Sequence, residues 1–395
     1  MSLPVRLFRS DRSCLLLVLP AALLLVSFNL AGRDLWDPDE PRTGEVAREI
    51  LQSGSWAVLH DDGRPYLEKP PLYYWLTAAL SLPAGRVGEL TARLPSAVSG
   101  ILGVLCLYYL GRALYGRRTG ALSALVLGTT HGYVMESRWA HPDMLWTLGL
   151  TFATFAFYRA YRSYRADRRG PWLAGFYAAL GLAALTKGPA ALLLAGLAIL
   201  LFLAVVRDLG FLRRAGLWWG IPLALTPTGL WLAAYGVSAG HPFPVGWALQ
   251  RIGERFLTGV DHPRPFLHIL TSLPLEFLPW IVFLPGAIWH ALPRGGRVDP
   301  ETIYLFAWVT VYVAIFALSM EKRGVYWLPL LPLLAILIGR LWDTALYRWE
   351  PSPVEGTLRA GLAAALLLAV GASAYILPRV RREIPDLRDE AGWLA

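Results

Sequence analysis

Apolar stretches of about twenty residues, each long enough to cross a bilayer core, recur along most of this chain. The chain is 55% hydrophobic and 16% charged, whereas about a quarter of the residues in a soluble domain are charged. The pattern therefore predicts an all-α polytopic membrane protein with roughly eleven spans. These spans are 13–31, 91–111, 119–136, 143–161, 172–186, 189–206, 215–236, 267–290, 301–320, 325–341 and 358–377.

Arginines gather in short clusters between the spans. The clusters lie at 112–118, 162–169, 207–214 and 294–297. With a cytoplasmic N-terminus all four fall on the cytoplasmic side, as the positive-inside rule requires. The positive residues behind the net charge of +9 therefore indicate the orientation of the chain in the membrane rather than nucleic-acid binding. The arginines at 379–382 would lie outside, which leaves open a miscount of helices near the end.

Three further sequence features bear on the class of protein. Arginines precede the first span, but no small-residue cleavage site follows it, so we interpret it as a retained helix rather than a signal peptide. Both cysteines, Cys14 and Cys106, lie inside apolar segments and predict neither disulfide nor metal. The predicted organisation is a first helix (1–31), an outer loop (32–90), a helical bundle (91–377) and a short tail (378–395).

The outer loop carries the most unusual composition of the chain. Acids, bases and prolines follow the first span directly at 34–42 and recur at 66–71. Charge placed against a membrane is costly and marks a functional site by default, although a solvated connector is the simpler alternative. We expect one helix over 40–53, with Asp39 as N-cap and Gly54 as its stop, and a second, aromatic-rich interfacial helix over 71–82. The apolar stripe of the first helix, which we expect to lie on the membrane surface, is Val46, Ala47, Ile50 and Leu51.

The lysines are distributed differently from the arginines. The chain has three, Lys69, Lys187 and Lys322, and all of them fall on the predicted outer side. An anion-binding site on that face would need such a distribution, although Lys322 alone is equally explained as a snorkelling residue at a helix end.

Several short motifs occur between residue 30 and about residue 340. They are Asp39-Glu40-Pro41-Arg42, Ser53-Gly54-x-Trp56, Tyr66-x-Glu68-Lys69-Pro70-Pro71, Ala92-Arg93-Leu94-Pro95, His141-Pro142-Asp143, Thr186-Lys187-Gly188-Pro189 and Tyr326-Trp327-Leu328-Pro329. The motifs of the first outer loop closely resemble those of bacterial lipid-linked sugar transferases, the 4-amino-4-deoxy-L-arabinose transferase-like enzymes, which are relatives of the protein O-mannosyltransferases in the GT-C superfamily. The later, shorter motifs match the same family.

The resemblance implies a GT-C bundle with a helical juxtamembrane loop on its outer face. It also implies inverting transfer of a monosaccharide from polyprenyl (undecaprenyl) phosphate to a lipid, glycan or protein acceptor. The reaction would take place at the periplasmic face of the bacterial inner membrane.

The same resemblance assigns residues to the site. Asp39 resembles the catalytic base that takes the acceptor's proton, and Asp143 the second acidic position, although either could instead cap a helix. Charge that develops on the leaving phosphate needs fixed cations. Donor phosphate binding is assigned to Arg42, Lys69 and Lys187, and acceptor or substrate binding to Glu40, Tyr66 and Tyr326.

No cofactor is expected to be required. The sequence contains no P-loop and no glycine-rich dinucleotide motif. Glu68 and His262 could hold a structural divalent metal, as a matching pair does in some relatives. The nearest approach to an Asp-x-Asp metal motif in the outer loops is Asp37-Pro38-Asp39.

Two alternatives concern the reaction itself. A transporter or flippase of an anionic lipid-linked headgroup would show inverted repeats and mid-span charges, whereas here we find no repeat and the charges lie at one face. A polymerase or ligase acting on long glycans differs in acceptor rather than in chemistry and stays open. We also expect no soluble C-terminal domain after the last span, unlike the aminoarabinose enzymes, which leaves the sugar and the acceptor undecided.

Overall fold

The computed structural model describes residues 10–36, 38–163, 168–259, 268–292 and 298–347, with a few isolated positions beside them. This part of the chain is helical apart from one short antiparallel hairpin, β1 (His60–Asp61) and β2 (Arg64–Pro65). Short 3-10 segments lie at Leu82–Ala84, Leu209–Arg214, Trp280–Phe283 and Gly324–Trp327. The α-helices are α1 (Asp11–Ser27), α2 (Asp39–Ser53), α3 (Leu72–Ser81), α4 (Glu89–Tyr115), α5 (Arg117–Gly128), α6 (His131–Ser137), α7 (Asp143–Arg162), α8 (Arg169–Lys187), α9 (Ala190–Val205), α10 (Leu217–Ala239), α11 (Val245–Leu257), α12 (His268–Glu276), α13 (Leu284–Ala291), α14 (Pro300–Leu318) and α15 (Leu331–Tyr347).

Most predicted spans coincide with one helix, and the exceptions have local causes. The span 119–136 divides into α5 and α6 at Thr129 and Thr130, whose hydroxyls donate to carbonyls of the preceding turn. The span 267–290 divides into α12, a 3-10 segment and α13 because prolines interrupt its hydrogen bonding. Helix α11 lies in a segment predicted as loop, and the span 358–377 falls outside the described ranges, so the count of eleven stays a prediction.

Individual helices differ in whether length and composition alone would let them cross a membrane. Among the described residues, α4 and α14 are long and apolar enough to do so. Helix α9 and the run Trp280–Ala291 are apolar but shorter.

The bundle is held together by closely packed helix pairs. Helix α4 packs on α5 and α7, α5 on α15, α7 on α8, and α8 on α10. A methyl group at Gly120 of α5 would lie 2.5 Å from the carbonyl oxygen of Tyr108, and one at Gly181 of α8 would lie 2.6 Å from that of Ala224. Small residues therefore let the backbones approach, as expected where lipid supplies no hydrophobic drive between helices.

The outer loop folds on itself. Helices α2 and α3 pack together and enclose a small apolar core with the hairpin. The prediction that the stripe of α2 faces the membrane is therefore wrong, because three of its four residues are buried in this core. Tyr73 and Tyr74 of the aromatic helix are also buried rather than exposed at headgroup depth. The core residues are Val46, Ala47, Ile50, Leu59, Tyr66, Tyr74 and Ala78.

Helix α2 begins one residue earlier than predicted. Pro38 occupies the N-cap position without a side-chain hydrogen bond, and Asp39 is the first helical residue. The N-cap prediction for Asp39 is wrong, and its carboxylate is directed to other partners. Gly54 ends the helix as predicted, with a φ of 70° that suits glycine.

One buried carboxylate fastens the outer loop to the bundle. Glu40 is 0% exposed, and its two oxygens accept from Arg93 of α4 at 2.8 and 2.9 Å. Arg33 donates to it at 2.7 Å, and the backbone N–H groups of Trp36 and Ala140 each donate at 2.9 Å. Arg93 also donates to the carbonyls of residues 30, 33 and 34. The network joins the end of the first span, α2, α4 and the segment before α7.

Candidate functional site

A polar cavity of about 110 Å³ opens where α2, α6 and the turn before the Gly324–Trp327 segment meet. Its wall combines acids, a base, a histidine and an indole ring. The lining residues are Asp39, Glu136, Trp139, His141, Arg323 and Val325. This mixture suits a ligand with both charged and uncharged polar parts.

Asp39 projects into this cavity from the first turn of α2. Its Oδ2 accepts from the Arg323 guanidinium at 2.9 Å, and its Oδ1 lies 4.0 Å from Nε2 of His141. Burial alone would raise the pKa of Asp39, but contacts with His141 and Arg323, with Lys69 behind them, lower it below its ordinary value. The carboxylate is therefore ionised at neutral pH and able to accept a proton.

His141 connects Asp39 to a second carboxylate. Its Nδ1 contacts Oδ2 of Asp143, and its Nε2 lies 3.1 Å from Nζ of Lys69. An ammonium group can only donate, so Nε2 accepts and Nδ1 carries the ring proton toward Asp143. Burial and the neighbouring Lys69 lower the pKa of His141, which favours the neutral ring. Asp143 thus fixes the tautomer that Lys69 requires.

Lys187 completes the group from the end of α8. Its Nζ forms an ion pair with Oδ1 of Asp143 and lies 5.4 Å from the ring centre of Trp146 and 5.3 Å from that of Tyr326. The charged cluster of the site is therefore Asp39, Lys69, His141, Asp143, Lys187 and Arg323.

The environment of Lys69 is less favourable to charge than that of an ordinary lysine. Burial is the largest effect and, together with Lys187, lowers the pKa of Lys69 to about 8. Asp143 and Asp39 oppose that shift. An ammonium held in this state gains from an arriving anion, because a phosphate would replace solvation that the site does not provide.

A second layer surrounds the cluster on the side of the 320–327 turn. The Tyr326 hydroxyl donates to Glu321 at 3.0 Å, and Arg255 lies 3.9 Å from Glu321 and 3.8 Å from Glu68. Backbone hydrogen bonds also join the end of α11 to residues 320 and 321. Helix α11 is thus tied to the turn that carries Arg323.

Glu276, the last residue of α12, forms a wedge between α6 and the turn that carries Arg323. Its carboxylate fits between Gly132 of α6 and Gly324, and a methyl group at either glycine would overlap a carboxylate oxygen. This contact sets the distance between α6, which carries Glu136, and the turn that carries Arg323.

Several predicted site residues lie elsewhere. The Glu40 carboxylate belongs to the buried network and does not line the cavity, which argues against a role in acceptor binding. Arg42 pairs with Asp61 of the hairpin at 3.6 Å rather than with the cluster. Tyr66 is buried, and its hydroxyl lies 3.1 Å from that of Tyr74.

The remaining predictions concern a metal and Lys322. Glu68 pairs with Arg255, His262 lies outside the described residues, and within those residues no group of three or more His, Cys, Asp or Glu side chains is placed to hold a metal. Lys322 is buried and donates to the carbonyl of Ser319, so the snorkelling interpretation is wrong.

Sequence reasoning gave no role to His141, Arg323, Glu136 or Trp139. His141 stands in the His-Pro-Asp motif directly before Asp143, and Arg323 follows two other charged residues between apolar segments. His141 and Arg323 could have been found from the sequence, because charge placed against a membrane marks a candidate functional site. Glu136 and Trp139 carried a weaker signal.

An apolar groove is lined by residues that are close in sequence to the two lysines of the charged cluster. It has a volume of about 630 Å³ and lies between α3, α4, α7 and α8. Its lining includes Leu72, three residues after Lys69, and Thr186, next to Lys187. The groove and the two lysines together suit a ligand with a long apolar chain and an anionic head.

Known proteins share both this sequence and this architecture. The family described as dolichyl-phosphate-mannose-protein mannosyltransferase matches residues 68–231. The undecaprenyl phosphate-α-4-amino-4-deoxy-L-arabinose arabinosyl transferase of Edwardsiella ictaluri is 31% identical over 322 residues, covering 78% of this chain and 56% of the relative. That of Pectobacterium atrosepticum is 31% identical over 342 residues, covering 83% and 58%. The crystal structure of ArnT from Cupriavidus metallidurans bound to undecaprenyl phosphate has a TM-score of 0.79 at 27% identity and covers 92% of this chain and 65% of that one.

The chain resembles the 4-amino-4-deoxy-L-arabinose transferase-like family of GT-C glycosyltransferases in both sequence and structure.

These similarities confirm the resemblance and the general fold predicted from the motifs. The oligosaccharyltransferase of Archaeoglobus fulgidus shares the fold at a TM-score of 0.59 and 16% identity. The chain spans a little over half the length of the curated family members it matches, 56% and 58% in the two cases above. Its own activity, donor and acceptor are therefore proposals.

Proposed function

We propose that this chain transfers a monosaccharide from a polyprenyl phosphate, undecaprenyl phosphate in bacteria, to an acceptor at the periplasmic face, with inversion at the anomeric carbon. The observation that carries the proposal is the position of Asp39. Its ionised carboxylate lines the polar cavity within the charged cluster. An apolar groove of about 630 Å³, lined by Leu72 and Thr186 close in sequence to Lys69 and Lys187, suits a lipid chain.

Asp39 acts as the general base. The acceptor hydroxyl gives its proton to the carboxylate while its oxygen forms a bond to the anomeric carbon. The bond between that carbon and the phosphate oxygen breaks on the opposite face, and its electron pair leaves with the lipid phosphate. Arg323 keeps Asp39 oriented, and the proton remains on Asp39 until product release.

Lys69 and Lys187 neutralise the phosphate. The Asp143 carboxylate forms an ion pair with Lys187, and Nε2 of His141 accepts a hydrogen bond from Lys69. Asp143 thereby positions Lys187 and, through His141, Lys69. Asp143 is therefore a positioning residue. Arg42 pairs with Asp61, so we do not place it at the phosphate. Tyr326, beside Lys187, remains a candidate for substrate contact.

The first prediction concerns the lysine at the phosphate. Lys69→Ala is expected to raise KM for the donor strongly, and Lys69→Arg to restore only part of donor use, because a guanidinium presents its donors differently from a compact ammonium. The charged form binds phosphate, so wild-type kcat/KM for the donor should hold below pH 8 and fall as the pH rises through the Lys69 pKa of about 8. The Lys69→Arg variant should lack that fall.

Arg64→Ala is a matched control, because Arg64 is an exposed cation of the same outer loop. Donor titrations from pH 6 to 10 measure the effect. Unchanged donor KM in Lys69→Ala would remove Lys69 from the phosphate site.

The second prediction concerns orientation. A reporter fused after Gly63 should lie outside the cytoplasm and one fused near Ala166 inside, because the arginine clusters fix the topology. Paired alkaline phosphatase and fluorescent-protein fusions distinguish the two sides. The reverse result would place the charged cluster in the cytoplasm and rule out a periplasmic reaction.

The third prediction concerns metals. Transfer is expected to persist in EDTA, because lysine and arginine side chains supply the positive charge that the leaving phosphate needs. A metal held by Glu68 and His262 would then affect stability rather than turnover. Loss of transfer in EDTA that magnesium or manganese restores would contradict this and implicate Asp39 and Asp143 as ligands.

A further inference from the structure

A second apolar groove lies on a different set of helices from the first. It has a volume of about 410 Å³ and is formed mainly by α8, α9, α10 and the 3-10 segment Leu209–Arg214. Its lining on α10 runs from Leu217, the first residue of that helix, to Leu225, about 12 Å along the axis. Arg169 begins α8 and Lys187 ends it, about 27 Å apart at 1.5 Å per residue. That length is close to the ~30 Å of a hydrocarbon core, so the two ends of α8 reach opposite membrane faces.

The groove is open space with an almost purely hydrocarbon wall. Gly196 of α9 lines it, and a methyl group at Gly196 would meet no atom within 4 Å. Leu200 of α9 and Ile221 of α10, which also line it, are exposed. The one polar side chain in the lining is Tyr177, and its hydroxyl donates to the carbonyl of Ala215 at 2.9 Å. The wall therefore suits a hydrocarbon chain.

Arginines stand at the 3-10 segment that forms one part of this wall. Leu212 and Ala215 line the groove, and Arg213 and Arg214 lie between them in the chain. Their Cα atoms are therefore about 3.8 Å from those of lining residues. Both arginines are exposed. Arg169 reaches the same segment, where it donates from Nη1 to the carbonyl of Arg214 at 3.2 Å.

The charge of this segment is positive. Residues 207–214 include three arginines and one acid, Asp208. Asp208 accepts from the hydroxyl of Tyr161 on α7 at 3.3 Å. A surplus of cations beside an apolar groove is complementary to a lipid with an anionic headgroup.

We propose that this groove binds an anionic phospholipid, with one acyl chain between α8, α9 and α10 and the headgroup phosphate against Arg169, Arg213 and Arg214. The inference is independent of the proposed function. Basic pockets between membrane helices on the cytoplasmic side recognise such headgroups. The orientation predicted from the arginine clusters places this end of the bundle on that side.

Other occupants fit the groove less well. The polyprenyl phosphate donor is also an anionic lipid, but its phosphate has to reach Lys69 and Lys187, and Lys187 is at the far end of α8. Two copies of the chain packed through this groove would bring the same arginines together about a two-fold axis, which like-charge repulsion opposes. Free phosphate would use the arginines and leave the apolar wall uncovered.

The test uses the purified full chain, freed of lipid in detergent and titrated with phosphatidylglycerol or with phosphatidylcholine of the same acyl chains. Native mass spectrometry counts the bound lipids, and thermal unfolding measures the stabilisation that binding gives. Wild type is expected to bind phosphatidylglycerol about tenfold more tightly than phosphatidylcholine. Arg213→Gln should weaken phosphatidylglycerol binding about fivefold, the usual effect of one cation near a lipid surface. Arg12→Gln is the control, since Arg12 is an exposed arginine at the start of α1, on the same predicted side.

A second pair of variants tests the groove itself. Gly196→Trp is expected to abolish phosphatidylglycerol binding, because the indole enters the open space that the acyl chain would occupy. Gly229→Trp is the matched control, since Gly229 is an exposed glycine inside α10, also has no atom within 4 Å of an added methyl group, and does not line the groove. Gly196→Leu fills less of the groove and is measured in the same way if the tryptophan variant does not fold.

Three results would overturn the proposal. Equal affinity of wild type for the two lipids would show that the headgroup charge is not recognised. Equal phosphatidylglycerol binding by Gly196→Trp and Gly229→Trp would show that the acyl chain does not occupy the groove. A dimer without bound lipid, lost in Gly196→Trp, would assign the groove to a second copy of the chain. None of these measurements depends on sugar transfer, so the result stands whether or not the proposed function does.

Discussion

Asp39→Asn is expected to reduce sugar transfer by a factor of about 100 to 10,000, the usual cost of removing a general base. The amide keeps the shape of the carboxylate and can still accept from Arg323, but it cannot take the proton of the acceptor hydroxyl. Donor binding should persist, because Lys69 and Lys187 are unchanged. Transfer of a labelled sugar in proteoliposomes measures turnover, and donor titration measures binding.

Asp62→Asn is the matched control for that substitution. Asp62 is an exposed acid of the same loop with a φ of 53°, a conformation that asparagine also tolerates. Turnover of Asp39→Asn close to that of the control would dismiss Asp39 as the base. The pH dependence of wild-type turnover should agree with this role. The Asp39 carboxyl has a lowered pKa, so it stays ionised throughout the neutral range and is protonated only at a pH below the ordinary pKa of an aspartate.

The largest expected effect on stability is at Arg93. Arg93→Met leaves the buried Glu40 carboxylate without its main partner, and breaking a buried ion pair from one side costs about 3–5 kcal/mol of the free energy of unfolding. Three backbone carbonyls near the start of the outer loop lose their donor in the same substitution. Thermal unfolding in detergent, followed by far-ultraviolet circular dichroism, measures the loss.

Arg48→Met is the matched control, because Arg48 forms an exposed ion pair with Glu45 within α2. Such a surface pair contributes about 0–1 kcal/mol. The double variant Glu40→Leu with Arg93→Met should recover part of the lost stability, since it leaves no unpaired buried charge. Equal melting temperatures for Arg93→Met and Arg48→Met would show that the Glu40 network does not hold the loop.

Much of the helical architecture follows from local sequence. Long apolar runs separated by arginine clusters correctly located most of the described helices, because the length and composition of each run by themselves predict a helix. The breaks were harder to predict. Threonines 129 and 130 look like ordinary span residues until their hydroxyls bond to the preceding turn, and α11 was missed because its polar face resembles a loop.

The site depends on contacts that sequence spacing does not encode. Asp39 and Arg42 are three residues apart on one helix, yet Arg42 pairs with Asp61 and Asp39 with Arg323, 284 residues away. The lysine distribution predicted an anion-binding site on the outer face, and the structure brings Lys69 against His141 and Lys187 against Asp143. Burial distinguishes the two acids at the start of α2, since Glu40 has the same charge as Asp39 but its carboxylate is fully enclosed.

The wedge formed by Glu276 restricts how this family can diverge. Gly132 and Gly324 do not adopt the left-handed conformation that usually requires glycine, and what excludes a larger residue is Glu276 between them. The atoms nearest to a methyl group at Gly324 all belong to the Glu276 side chain, whereas a methyl group at Gly132 would also lie 2.8 Å from the backbone carbonyl oxygen of Glu276. A shorter side chain at 276 therefore makes room at Gly324 but not at Gly132. In an alignment of relatives, position 324 should vary together with position 276 while position 132 stays glycine, and independent variation would show that the wedge is peculiar to this chain.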